Sequence, residues 1–106
     1  MSEFLSLYVT TPSREVAEKI GRTLVEERLA ACVNIIAATH SIYWWKGTIE
    51  EATEVVLIAK SRAALFEELE KRISELHPYD CPCIVAWPIA AGHRPYLDWV
   101  AQETAS

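Results

Sequence analysis

The sequence predicts an α+β fold of the ferredoxin-like kind, and three observations carry the prediction. β-prone and helix-periodic segments follow one another in the order β-α-β-β-α-β, with one extra C-terminal helix. Only Lys46-Gly47 separates the two middle strands, so these form a hairpin. Hydrophobic residues make up 51% of the 106, enough for a core without disulfides or a structural metal. The result is a split βαβ unit, an antiparallel sheet with helices on one face. The length fits one domain over residues 1–106.

Phe4–Thr11 alternates around β-prone residues and runs into the turn signal Thr-Pro-Ser, so it reads as the first strand. Ser13 is placed to cap the next helix, and Glu15 and Glu18 suit its positive end. Val16, Ala17, Ile20 and Leu24 give that helix one inward face, and Gly21 on the same face lets it sit close to the sheet. Residues 31–45 and 48–60 form the hairpin arms. Ser61 is expected to cap a second helix, with Leu65, Leu69, Ile73 and Leu76 as its apolar stripe. His77-Pro78 stops that helix, because a residue before proline avoids helical backbone. Residues 83–90 give the last strand, and Pro88 places it at a sheet edge. The terminal helix turns Tyr96, Leu97, Val100 and Ala101 to one side.

The arms are too long for the helices that should cover them. A helix of about 15 residues is roughly 22 Å long, whereas a strand of about 14 residues reaches roughly 46 Å. The overhang carries Ile42, Tyr43, Trp44 and Trp45, apolar on both faces. Each ring offers about 150–250 Å², worth roughly 4–6 kcal/mol as an upper bound. The expectation is that neighbouring copies bury these four residues in a closed homo-oligomer. The alternative is that the arms curl over their own core, with a bulge near Gly47. Trp44 and Trp45 should face opposite ways, one inside and one against a neighbour. Trp87, Trp99 and Cys32 read as core.

The formal net charge is −5 with no Lys/Arg cluster, which speaks against nucleic acid and anionic membranes and for small cations. Three cysteines without a disulfide spacing point to a reducing compartment. The N-terminus shows no basic region or long apolar run, so a cytoplasmic protein is expected. No nucleophile–base–orienter set, P-loop or dinucleotide turn stands out, so no enzyme is expected. A hydrolase using Glu54 or Tyr79 is the minor alternative.

Residues 77–88, His-Pro-Tyr-Asp-Cys-Pro-Cys-Ile-Val-Ala-Trp-Pro, hold the densest chemistry. Cys81 and Cys83 are spaced to aim two sulfurs one way, with His77 or Asp80 as a third ligand. Two thiolates and an imidazole suit Cu(I) or Zn(II). The competing reading is two packed or half-exposed thiols. His77 and Tyr79 have a second reading, a rigid His-Pro-Tyr elbow that places both side chains at the mouth of a cleft, against a His77 that simply caps its helix. Lys60 shares strand parity with Glu54, so the two form either a pocket or a structural ion pair. Glu50, Glu51 and Glu54 are the densest acidic run and read as a solvated strand face with weak affinity for divalent ions. His40 and His93 read as surface residues.

Residues 27–35, 41–61, 77–89 and 96–100 resemble, in order and spacing, the successive signatures of the CutA family of divalent-ion tolerance proteins. The resemblance implies a ferredoxin-like subunit in a homotrimer built like PII-type signalling proteins, and an association with copper and other divalent cations. It also implies an intersubunit cleft gathering Lys60, Glu54, Tyr79 and a hairpin aromatic such as Trp45. No required cofactor is implied. Asp80 and Cys83 stand where the family run carries glutamates, and Thr10 and Leu76 where some members carry proposed copper ligands, so only His77 of that set is present. Two functions follow as expectations: a copper-binding tolerance protein, or a PII-like sensor of a small anionic ligand. A passive trimeric scaffold is the third.

Overall fold

The computed structural model describes residues 3–105. Strand β1 spans Phe4–Thr11, helix α1 Arg14–Glu26, strand β2 Cys32–Trp45 and strand β3 Thr48–Arg62. Helix α2 spans Phe66–Leu76, strand β4 Ile84–Pro88 and helix α3 Arg94–Glu103. The sheet order is β2-β3-β1-β4, and every neighbouring pair is antiparallel. That is the ferredoxin-like α+β arrangement, with β4 on the edge where Pro88 can be tolerated.

Ser13 caps α1 by accepting the Val16 N–H at 3.2 Å. Ala17, Ile20, Gly21 and Leu24 are the buried face of α1. Ile20 and Leu24 close with Leu69 and Ile73 of α2 over Leu7, Val9, Leu57 and Ala59 of the sheet. Gly21 is where α1 comes nearest the strands: a Cβ there would stand 2.9 Å from Val33 Cγ2 and 3.3 Å from Leu57 Cδ1. Val33 is β-branched and held in a strand, so it cannot yield. Gly21→Val is expected to lower stability by about 2 kcal/mol, read as a drop in the urea midpoint at fixed protein concentration. An unchanged midpoint would contradict this close approach.

Helix α3 packs against the sheet end where Phe4, Cys32 and Arg62 project, and its C-terminal end meets Arg28, just past α1, through the Arg28–Glu103 ion pair at 2.7 Å. Leu97 and Val100 bury there with Phe4 and Ala31, and Arg62 Nε donates to Thr104 Oγ1 at 2.8 Å.

Four expectations are corrected. Ser61 caps nothing: it lies in β3, fully buried, and donates to the Leu29 carbonyl at 2.6 Å, while α2 starts later, through a short 3₁₀ turn at Ala63–Leu65. Cys32 is half-buried rather than core, with its sulfur 3.2 Å from the Tyr96 hydroxyl. Trp87 and Trp99 are surface residues, because the inward positions beside them belong to Ile84, Ala86, Leu97 and Val100. Trp87 instead meets Tyr8 at 5.3 Å between ring centroids, on the sheet face opposite α1 and α2.

The arms are as long as the sequence predicts, 14 and 15 residues, and the molecule measures 44 × 26 × 23 Å. Lys46 and Gly47 both take positive φ, 50° and 85°, giving the tight mirror-image turn whose twist matches a hairpin. The bulge is not at this turn. It falls between Ile36 and Thr39, with Ala38 at φ 65°, so that two residues of β2 oppose one of β3.

That bulge decides which arm residues face which way. Before it, Cys32, Asn34 and Ile36 share the sheet face turned away from α1 and α2. After it, Thr39 pairs with Glu54 and Tyr43 with Glu50, so odd-numbered residues of β2 occupy that face. Ile42, Trp44 and Ile49 point the other way, past the ends of the helices, and remain 65%, 71% and 60% exposed. Trp44 and Trp45 do face opposite ways, and neither is buried within this chain.

Candidate functional site

The open sheet face and the loop after α2 enclose a concavity of about 620 Å³. Tyr43, Trp45 and Glu54 line it from the arm, and Tyr79, Cys81 and Cys83 from the loop. Thr10, Ser41, Pro78 and Asp80 complete the wall.

His77 builds this site from beneath. The residue is 7% exposed. Its Nε2 donates to the Thr10 carbonyl at 2.8 Å, and its Nδ1 accepts the Tyr79 N–H at 3.1 Å. A carbonyl only accepts and an amide N–H only donates, so these partners assign the Nε2–H tautomer. The imidazole also lies against the Tyr79 ring, 4.6 Å between centroids. Tyr79 is thereby aimed at Glu54, to which its hydroxyl donates at 2.8 Å. Burial, then the Glu54 hydrogen bond and charge, push the Tyr79 phenol up to about 12. The phenol thus keeps its proton and remains the donor.

Glu54 is the unusual group. It is 6% exposed, and among the described residues no Lys, Arg or His pairs with it. Its partner is the neutral Tyr79 hydroxyl. Burial and the nearby Glu54 charge raise the Cys83 thiol above its ordinary value, against contacts to Thr10 that lower it. Cys83 is therefore disfavoured as a thiolate.

The structure brings together Glu54, Tyr79, Trp45, Cys81 and Cys83. It does not gather Lys60, which lies six residues along β3 from Glu54 and donates to Asn34 Oδ1 at 2.7 Å instead. The expected Lys60–Glu54 pair is absent for a geometric reason: equal parity puts two residues on one face without making them neighbours. The expected ligand triad does not form within the chain either. Both nitrogens of His77 are engaged with backbone, and no three His, Cys, Asp or Glu side chains among the described residues group as a metal site. The acidic run also divides: Glu50 and Glu51 are exposed on opposite faces, and His40 meets Glu51 at 2.7 Å.

Ser41 was not singled out by the sequence, and Thr10 only as a position where some family members carry a proposed copper ligand. Ser41 reaches the cleft only because the Ala37-Ala38 bulge shifts the parity of β2, and two alanines give no warning of that. The Thr10 carbonyl is a backbone group, invisible to side-chain patterns.

Fold and cleft together define a ferredoxin-like α+β protein with an overlong two-strand arm and an acidic, aromatic-walled cleft at its root. The chain belongs to the CutA1 divalent ion tolerance protein family, whose pattern matches residues 5–103. It is 51% identical over 96 residues to the divalent-cation tolerance protein CutA of Thermus thermophilus, covering 91% of this chain and 93% of that one. It is 46% identical over 99 residues to the human protein CutA, covering 93% of this chain but 55% of the human one. The chain thus spans nearly all of the Thermus relative and about half of the human one.

Among solved structures, the Thermus thermophilus divalent cation tolerance protein superposes with a TM-score of 0.94 at 48% identity, covering 96% of this chain and 99% of that one. The periplasmic divalent cation tolerance protein CutA of Archaeoglobus fulgidus gives 0.92 at 43%, covering 94% and 97%. The family is named for tolerance of divalent ions, not for a reaction. Relatives described as periplasmic and chloroplastic leave the compartment open. Among the described residues no helix is long and apolar enough to cross a membrane.

Proposed function

We propose that the chain acts as a homotrimer that takes up divalent cations, copper among them, in clefts shared between copies, and so serves divalent-ion tolerance. The observation that carries the reading is Glu54, a buried carboxylate facing a cleft, with which no Lys, Arg or His among the described residues pairs. A buried charge needs a counter-charge, and a bound cation supplies one. Asp80 adds a second carboxylate to the wall, while Cys81 and Cys83 add sulfur, a mixed donor set that suits a borderline divalent ion. Neighbouring copies or water complete the coordination.

Titration of the purified protein with Cu(II) tests this. Saturable binding is expected, weakened about tenfold or more in Glu54→Gln, which loses roughly 1.4 kcal/mol or more of charge attraction. Binding that is only millimolar, or equal in Glu54→Gln, would overturn it.

A second reading, a PII-like sensor of a small anionic ligand, keeps one support. The cleft volume of about 620 Å³ suits a small molecule. Its acidic wall repels anions, so this reading needs Lys60 from another copy.

A further inference from the structure

We propose that Cys81 and Cys83 form a redox-active dithiol, a modification site that low-molecular-weight disulfides convert to an intrachain disulfide at the mouth of the cleft. Both thiols are free, exposed and on the wall of the same concavity. Two residues of extended chain span at most about 7 Å between Cα atoms, and a disulfide takes about 4.4–6.8 Å. The bond therefore needs only a slight bend, and the chain already bends at residues 79–81.

The setting permits that bend. Residues 77–83 belong to no helix or strand, so closing the ring breaks no ladder hydrogen bond. Pro82, between the two cysteines, has no N–H to lose. The segment is anchored on both sides, by His77 on Thr10 and by the start of β4 at Ile84, so the movement stays local. Cys32 sits on the opposite part of the sheet against Tyr96 and takes no part.

The chemistry balances. Cys81, exposed at the mouth, attacks a sulfur of a disulfide R–S–S–R as its thiolate, forming a mixed disulfide and releasing the first RS⁻. Cys83, giving up its proton as it reacts, attacks the protein sulfur of that mixed disulfide and releases the second RS⁻. Two protein thiols are oxidised, one R–S–S–R is reduced to two RSH, and the two thiol protons pass to the leaving thiolates. So small a ring is strained and readily reduced again, which suits a reversible mark in a thiol-rich compartment.

Incubating the native protein with excess oxidised glutathione, then alkylating and measuring intact and peptide masses, tests the proposal. The wild type is expected to lose two alkylatable thiols, both in the peptide holding Cys81 and Cys83, with no glutathione adduct and no cross-linked chains on a non-reducing gel. Cys81→Ser and Cys83→Ser are each expected to retain one glutathione adduct, while Cys32→Ser behaves as wild type. Stable adducts on the wild type, chains cross-linked through these cysteines, or no reaction would each overturn it.

Discussion

Ile42→Asp combined with Trp44→Asp is expected to convert an assembled protein into separate chains of 12.0 kDa. Both side chains lie on the arm face that α1 and α2 do not reach, 65% and 71% exposed in the single chain. Ile49 extends the same strip at 60%. An apolar strip of this kind on a soluble chain marks an interface. Burying one such ring is worth roughly 4–6 kcal/mol at most, while burying an unpaired carboxylate costs several kcal/mol. Two aspartates in each copy therefore reverse the sign of association. The globule should remain folded, because neither residue touches its core. Sedimentation equilibrium of the double variant is the check. A variant that sediments like the wild type would show that this strip is not the interface.

His77→Ala is expected to cost about 2–4 kcal/mol, because it strands two backbone groups that were buried with the imidazole. The Thr10 carbonyl loses its donor and the Tyr79 N–H its acceptor. The loss should also reach Tyr79, which now stands against an imidazole and points at Glu54. Freed from that position, the phenol should fall from about 12 toward its ordinary 10.0. The ¹³Cζ resonance of labelled tyrosine, assigned with Tyr79→Phe, reads this directly. A ligand role for His77 would leave the Tyr79 titration unmoved in metal-free protein, and that result would contradict the positioning role. The linkage has a definite sign. The folded phenol titrates above the unfolded one, so its contribution to stability is whole below pH 10 and lost as pH rises toward 12. Wild-type stability should decline across that alkaline window, and Tyr79→Phe should decline less.

Much of the fold was legible in the sequence, for reasons that particular residues make plain. Phe4–Thr11 alternates and ends at a turn signal, Ser13 is the right residue to cap α1, and Lys46-Gly47 is a turn with strands on both sides. Pro88 placed β4 at an edge. Several failures share one cause: sequence parity tells which face a residue occupies, not what stands opposite. Trp87 and Trp99 are large and apolar, yet Ala86 and Leu97 hold the inward positions beside them. Lys60 and Glu54 share a face and lie too far apart along it. Ser61 looks like a cap, but β3 runs on past it. The cleft was half legible. Tyr79, Glu54, Trp45 and the two cysteines were named, and all five line one concavity. The elbow reading set His77 beside Tyr79 at the cleft mouth, and its seat beneath the cleft was missed, because its partners are a carbonyl and an amide that every residue carries.

Sedimentation of the wild-type protein at nanomolar concentration tests the central claim most directly, that the arms outreach their own globule and must be covered by other copies. A single species of three times 12.0 kDa is expected, persisting on dilution. A folded, soluble species at the mass of one chain would contradict it.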